Sequence, residues 1–155
     1  RDALADRVAD ERARGRTIAF ANGVFDLLHV GHARYLAQAR ALGDALVVAV
    51  NDDDSVRALK GPSRPIVPLA DRAELLAALA VADYVVPFGG RTAEHVAAVL
   101  RPDVYVKGGD YGPDKPPPEA ATVRAYGGAV YILPFVENRS TSELIQAILA
   151  TAPRD

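Results

Sequence analysis

The chain has no cysteine, no long run of apolar residues and no excess of basic charge among its 155 residues. Without cysteine it can form neither a disulfide nor a catalytic thiolate. No apolar stretch approaches the roughly 20 residues that a membrane-spanning helix needs, and the first residues lack the pattern of a signal peptide. The formal net charge of −2 argues against a nucleic-acid-binding surface, which is usually basic. We therefore expect a cytoplasmic protein with neither a membrane nor a nucleic-acid partner.

The rest of the composition is that of a folded domain. Hydrophobic residues make up 50% of the chain and charged residues 25%, as in ordinary globular proteins. A chain of this length can bury a substantial core without covalent staples. We expect one domain over residues 1–155, with an N-terminal helix at 1–15. Glycine and proline dominate residues 108–118 (GGDYGPDKPPP), and we expect a flexible loop there.

Short apolar segments alternate with segments of helical periodicity along the chain. The strand-like segments are residues 17–21, 45–50, 84–86, 104–106 and 130–133, and the helical ones are 1–14, 31–42, 69–80, 92–100 and 142–150. This alternation predicts an α/β fold in which a parallel sheet carries helices on both faces. Ligands of such folds bind beyond the C-terminal ends of the strands. We therefore expect the residues that follow each strand to form the functional site.

The segment Asn22–His32 (NGVFDLLHVGH) follows the first predicted strand and opens the first long helix. Gly23 lets the backbone approach a ligand closely, and the start of the helix offers free N–H groups to an anion. His29 and His32 stand three residues apart around Gly31, so both rings could face one site and donate hydrogen bonds to a triphosphate. A lone histidine here would more often be a cap or a core residue. The pair after a glycine turn favours a catalytic function.

A second candidate anion site, Glu137–Ser142 (ENRSTS), follows the fifth predicted strand. The hydroxyl groups of Ser140, Thr141 and Ser142 stand with free N–H groups at a helix start. Arg139 adds a planar cation that matches phosphate oxygens. A simple N-cap serine explains part of the same pattern, and the two functions are compatible.

Single charged residues after the other strands are further candidates. Lys60 lies in a loop after the second predicted strand, and Arg72 lies in the next predicted helix; either could bind a ligand or be a solvated surface charge. Lys107 ends the fourth predicted strand before Gly108, an unusual place for lysine in a central strand, which favours a ligand contact. The acidic run Asp52–Asp54 is better explained as a solvated loop with a helix cap. We assign no metal to protein side chains.

Residues 22–36 (NGVFDLLHVGHARYL) resemble the signature of the cytidylyltransferase-like nucleotidyltransferase superfamily. Within it, residues 51–78, 102–111 (PDVYVKGGDY) and 139–142 resemble the D-glycero-β-D-manno-heptose 1-phosphate adenylyltransferases. The resemblance implies a Rossmann-like, doubly wound, five-stranded parallel sheet of order 3-2-1-4-5. It also implies transfer of AMP from ATP to the heptose 1-phosphate, with ADP-heptose and pyrophosphate as products. Mg²⁺ and a homodimer are implied as well.

The same resemblance implies roles for individual residues. Those expected to act on the reacting phosphates are His29, His32, Lys60 and Arg139. Those expected to bind the nucleotide or the second substrate are Asn22, Gly23, Phe25, Asp26, Gly31, Arg72, Lys107, Gly108, Asp110, Ser140, Thr141 and Ser142. One departure is the proline run at residues 116–118, where the family has a less rigid segment.

Two alternative functions stay open on the sequence. A cytidylyltransferase acting on glycerol 3-phosphate or a related alcohol phosphate has the same superfamily motif, although residues 107–111 (KGGDY) favour the heptose family. A nucleotide-binding regulatory module without turnover is the other alternative. The intact pair of His29 and His32 argues against it.

Overall fold

The fold is built on one parallel sheet of five strands. The computed structural model describes residues 2–109, 111–134 and 139–153. Its strands are β1 Ile18–Gly23, β2 Ala45–Asn51, β3 Tyr84–Phe88, β4 Val104–Gly108 and β5 Ala129–Leu133. Their order is β3-β2-β1-β4-β5, and every neighbouring pair is parallel. This confirms the predicted sheet and its order.

Seven helices surround the sheet within the described ranges. They are α1 Asp2–Ala13, α2 Val30–Ala41, α3 Asp53–Lys60, α4 Leu69–Ala77, α5 Glu94–Leu100, α6 Ala120–Ala125 and α7 Thr141–Thr151. None of them is long and apolar enough to cross a membrane. Helices α1, α5 and α6 pack on one face of the sheet, and α2 and α4 pack on the other.

The two faces explain why the strand-like segments are continuously apolar. In β2, Val47 and Ala49 belong to the core under α1 and α5, whereas Val48 and Val50 belong to the core under α2 and α4. Successive side chains of a strand point to opposite faces, and here both faces are covered. All seven residues of β2 are therefore buried.

Two short helices and one turn differ from the sequence prediction. Helices α3 and α6 have 8 and 6 residues, too few for a helical period to stand out in the sequence. The Asp52 carboxylate caps α3, accepting a hydrogen bond from the Ser55 amide at 2.8 Å. Lys60 thus lies in the last turn of α3 and not in a loop. In the segment predicted to be a flexible loop, Gly112 and Lys115 close a tight turn by two backbone hydrogen bonds.

Candidate active site

Two adjoining cavities open at the C-terminal ends of the central strands β1 and β4. The sheet order reverses between these two strands, which is where ligands bind in doubly wound folds. The apolar cavity has a volume of about 370 Å³, and the polar cavity has a volume of about 460 Å³. Residues that line both cavities are Asn22, Gly23, Val24, Phe25, His32 and Lys107. The two cavities thus share one wall, made by the end of β1, the start of α2 and the end of β4.

Most of the predicted site residues meet here. The apolar cavity is also lined by Gly31, Arg34, Tyr35, Gln38, Gly108, Leu133, Pro134 and Arg139. The polar cavity is also lined by Asp26, Asn51, Leu59, Lys60, Arg64, Arg91, Tyr111, Pro118, Glu119, Ser140, Thr141 and Ser142. Among the residues that the structure describes, His29 and Arg72 are the predicted ones that line neither cavity. Asp110, together with Glu137 and Asn138, lies outside the described residues.

The turn between β1 and α2 is a strained segment held in place by Asp26. Phe25 and Leu27 adopt φ values of 53° and 52°, a left-handed conformation that costs a residue other than glycine about 1–3 kcal/mol. The Asp26 carboxylate accepts three hydrogen bonds at 2.7–2.9 Å, from Arg64 and from the amides of Ile66 and Val67. Burial raises the pKa of Asp26, but these bonds and the charge of Arg64 outweigh it and hold the pKa below its usual value.

Asp26 also links the turn to the second anion site. Its backbone carbonyl accepts a hydrogen bond from the hydroxyl of Thr141, with an oxygen–oxygen distance of 2.5 Å. Ser140 caps α7, since its hydroxyl accepts a hydrogen bond from the Glu143 amide at 3.1 Å. The free amides at the start of α7 therefore lie beside the polar cavity. Asp26 is 1% exposed, and these contacts connect the turn to the start of α7.

The two histidines form a stacked pair at the start of α2. Their ring centroids are 3.9 Å apart with an interplanar angle of 29°. The Nδ1 atom of His29 accepts a hydrogen bond from the Gly31 amide at 3.0 Å, and that of His32 accepts one from the His29 amide at 3.3 Å. A neutral imidazole whose Nδ1 is an acceptor carries its proton on Nε2. Each ring therefore has one free N–H donor, and His32 presents its ring to both cavities.

The His29 ring fills the space that a side chain at position 31 would need. A Cβ built at this position would lie 2.7 Å from His29 Cε1 and 3.2 Å from the Arg139 carbonyl oxygen. Real Cβ atoms essentially never come within 3.0 Å of such a neighbour. The glycine is therefore needed for the histidine pair itself.

Both imidazoles are neutral near pH 7. Burial lowers the pKa of His32 to about 4, with His29 acting in the same direction and Asp26 opposing. Burial also lowers the pKa of His29, and Glu143 opposes it. A neutral ring can keep its Nδ1 hydrogen bond to the backbone while donating from Nε2. A protonated ring would lose the Nδ1 bond.

We expect the free energy of unfolding, measured without nucleotide, to fall as the pH drops from about 6.5 towards about 4. In this window the unfolded chain binds a proton at His32 that the folded chain does not bind, so acid favours unfolding. Urea titrations at several pH values should show a smaller pH dependence for His32→Asn, which cannot titrate. Equal dependence in the two proteins would contradict a buried neutral His32.

Arg72 is buried and bonded inside the fold. It is 0% exposed, and its guanidinium donates to the carbonyl oxygens of Val67, Val24 and Asn51 at 2.7–2.8 Å. It also forms a 2.7 Å ion pair with Asp53. These bonds tie the β1–α2 turn to the end of β2 and to the starts of α3 and α4. Arg72 thus supports the turn from inside the fold, and the ligand-binding role that the sequence predicts for it stays a prediction.

The sequence analysis missed four charged or aromatic residues of the polar cavity: Arg64, Arg91, Tyr111 and Glu119. Arg91 follows β3, so the rule that functional residues follow strands could have found it. Glu119 follows no strand, and nothing in its sequence neighbourhood indicates a site. It is 2% exposed, an unusual environment for a carboxylate.

Basic residues outnumber the two carboxylates, Asp26 and Glu119, in the lining of the polar cavity. Lys60, Arg64, Arg91 and Lys107 all line it, and Arg64 is paired with Asp26 at 2.7 Å. Burial lowers the pKa of Lys107, the charge of Glu119 opposes this, and Lys60 adds to the lowering. No group of three or more metal-ligating side chains is found in the described parts of the chain. The arrangement is chemically suited to an anion such as a phosphate.

Comparison with known proteins identifies the family. The family model for cytidylyltransferase-like proteins matches residues 20–147. The bifunctional protein HldE of Syntrophotalea carbinolica is 50% identical over 149 residues, which is 96% of this chain and 30% of that protein. HldE of Alkalilimnicola ehrlichii is 53% identical over 143 residues, 92% of this chain and 30% of that protein. The chain thus spans about a third of the length of these relatives.

Solved structures agree with this result. The lipopolysaccharide core biosynthesis protein from Thermoplasma volcanium has a TM-score of 0.62 and 27% identity, over 78% of this chain and 97% of that protein. The pantoate-beta-alanine ligase from Francisella tularensis, with a TM-score of 0.56 over 96% of this chain and 78% of that one, is 11% identical and shows the fold alone. The family match includes the strained turn, the histidine pair and the anion site at α7. On these grounds the chain belongs to the cytidylyltransferase-like family, as its sequence motifs predict.

Proposed function

We propose that the chain is a nucleotidyltransferase that moves AMP from ATP to a sugar 1-phosphate, D-glycero-β-D-manno-heptose 1-phosphate. The observation that carries the proposal is the shared wall, where His32 and Lys107 face both cavities. A nucleotide in one cavity and an anionic acceptor in the other would meet at these two residues. The HldE relatives and the resemblance of residues 102–111 to the heptose enzymes favour this acceptor.

The two cavities suit the two substrates differently. The apolar cavity, which is lined by Tyr35, Leu133 and Pro134, fits a nucleobase. The polar cavity fits both phosphate groups. The start of α7 supplies N–H donors for the triphosphate, and Lys60, Arg64 and Arg91 supply positive charge for the acceptor phosphate. We assign the α-phosphate of ATP to the shared wall between the two.

The proposed reaction is a direct in-line displacement. An oxygen of the acceptor phosphate forms a bond to the α-phosphorus of ATP, and the bond from that phosphorus to the bridging oxygen of the β-phosphate breaks. Pyrophosphate leaves with the electron pair. A phosphate is already ionised near neutral pH, so no general base is needed.

The protein must position two repelling anions and stabilise the charge that develops. We assign this task to the Nε2–H group of His32, to Lys107, to Arg139 and to the start of α7, and a supporting role to His29 behind His32.

We propose that Mg²⁺ enters with the triphosphate as part of the substrate. The two carboxylates of the polar cavity are already engaged: Asp26 accepts three hydrogen bonds, and Glu119 accepts hydrogen bonds on Oε1 from the Ala93 amide and from Asn22. Mg²⁺ commonly keeps several waters and binds substrate phosphates in such sites. We also propose a cytoplasmic location, as the sequence predicts, and a homodimer, which rests on the family resemblance alone.

The proposed function is tested by pyrophosphate release. ATP, CTP, GTP and UTP are each combined with Mg²⁺ and with heptose 1-phosphate, other sugar 1-phosphates or glycerol 3-phosphate. Turnover with ATP and the heptose 1-phosphate is the expected result. Turnover only with CTP and glycerol 3-phosphate would establish the alternative cytidylyltransferase. Nucleotide binding without pyrophosphate release from any pair would contradict the proposed catalysis.

We expect Arg91→Gln to raise the KM for the sugar phosphate about 10-fold and to change the KM for ATP little. Arg91 lines the polar cavity and not the apolar one, and a charge-assisted hydrogen bond to phosphate contributes about 1.5–3 kcal/mol. Initial rates with each substrate varied in turn measure both constants. Arg124→Gln, an exposed change in α6, is the control. An equal rise of both KM values would contradict the assignment of Arg91 to the acceptor.

A further inference from the structure

Glu119 is a buried carboxylate to which the proposed reaction gives no task. It stands at the N-cap of α6, directly after the proline run at residues 116–118. Pro117 is itself buried, and its carbonyl oxygen accepts a hydrogen bond from the Ala120 amide at 3.0 Å. The proline segment is thus anchored at this end, and the anchor places Glu119 in the lining of the polar cavity.

Glu119 is hydrogen-bonded to the carboxamide of Asn22. Its Oε1 atom accepts hydrogen bonds from the Ala93 amide at 2.9 Å and from Asn22 Nδ2 at 3.4 Å. The hydroxyl of Tyr105 lies 3.0 Å from Glu119 Oε2 and 2.7 Å from Asn22 Oδ1, and it can donate to either. Both ends of the carboxamide therefore have a partner. All three side chains are buried, and Asn22 lines both cavities.

Glu119 and Lys107 line the same polar cavity. Lys60, Arg64 and Arg91 line the same cavity and repel Lys107, and Tyr111 presents its ring 6.0 Å from Lys107 Nζ. Asp26 is the other carboxylate there, but it is paired with Arg64. Burial and the charge of Lys60 lower the pKa of Lys107, and the negative charge of Glu119 opposes this lowering.

We propose that Glu119 is a positioning residue of the site, which orients the carboxamide of Asn22 and places a negative charge in the cavity that Lys107 lines. The loop at residues 108–118 begins directly after Lys107 and ends directly before Glu119, so its proline run connects the two residues. The two opposite charges thus flank the loop and face one cavity. The kinetic consequences rest on the proposed function, but the charge of Lys107 can be measured without any substrate.

The substrate-free test is the pH dependence of acetylation of Lys107 by acetic anhydride, followed by mass spectrometry. Glu119→Gln keeps the shape of the side chain and the oxygen that accepts the hydrogen bond from the Ala93 amide. In this variant the acetylation of Lys107 near pH 8 should become about 10-fold faster, as expected if the pKa of Lys107 falls by about one. Glu94→Gln makes the same charge change at an exposed position in the first turn of α5 and should leave the reactivity unchanged. Equal reactivity of Lys107 in Glu119→Gln and in the native protein would overturn the proposal.

The kinetic test is the pH profile of kcat/KM. Glu119→Gln should move the basic limb to lower pH, and the double variant with Lys107→Arg should not show this shift, because arginine stays charged. A lower Tm of Glu119→Gln with an unchanged pH profile and unchanged acetylation would reduce Glu119 to a purely structural residue. If no substrate pair releases pyrophosphate, the proposed function fails while the acetylation result still decides the present proposal.

Discussion

Replacing His32 by alanine should lower kcat for AMP transfer about 10²–10³-fold, the usual cost of removing one preorganised donor to a developing charge. His32 lines both cavities, and its Nδ1 atom is occupied by the His29 amide. Only Nε2–H is left for the reacting phosphates. The loss should therefore fall on kcat more than on the KM for ATP. Steady-state pyrophosphate release, with circular dichroism to confirm folding, measures it.

Two isosteric variants separate the two nitrogen atoms of His32. Asparagine can place an oxygen near Nδ1 and so keep the bond to the backbone, but it has no donor at the Nε2 position. We expect His32→Asn to be folded and as slow as the alanine variant. Glutamine reaches further and can donate near the Nε2 position, so His32→Gln should recover part of the rate. The control variant His95→Asn, at a residue that lines neither cavity, should keep native turnover. Near-native turnover of a folded His32→Asn would contradict the mechanism.

Replacing Arg72 by methionine should lower the free energy of unfolding by about 3–5 kcal/mol, the cost of breaking a buried ion pair by removing one partner. The variant leaves three backbone carbonyl oxygens and the Asp53 carboxylate without the donor that they share. For a chain of this size the change corresponds to a fall in Tm of about 10 °C. Urea and thermal unfolding followed by circular dichroism would show it.

The matched control for Arg72 is Arg57→Met. Arg57 lies in α3 and pairs with Asp54, whose side chain is 91% exposed, and exposed pairs contribute about 0–1 kcal/mol. Arg57→Met should therefore change the free energy of unfolding little. If Arg72→Met kept native stability and instead raised the KM for a substrate, the result would support the ligand-binding role predicted from the sequence. The structural role would then be wrong.

The parts of the site that could be predicted from sequence are those that local spacing dictates. His29, Gly31 and His32 lie within one turn at the start of a helix, so their mutual distance follows from the chain itself. The capping hydroxyl of Ser140 is equally local, since its partner is the Glu143 amide three residues away. The family resemblance extended these local patterns to an activity and a substrate.

The parts that could not be predicted depend on burial and on distant contacts. Lys60 and Arg72 are both basic residues after the second strand, yet Lys60 lines the polar cavity and Arg72 is completely buried. Nothing in their neighbouring residues separates them, because the partners of Arg72 are up to 48 residues away. Glu119 is still more remote, since it lies 97 residues from Asn22.

The sequence by itself determined the alternation of the five strands with the longer helices, the covering of both faces of the sheet, and the histidine and serine motifs at two helix starts. It could do so because hydrophobic period and capping act over a few neighbouring residues. Only the tertiary structure decided which charges face the cavities and which support them from inside. Burial and long-range hydrogen bonds make that choice, and they exist only when β1, β2 and β4 lie side by side.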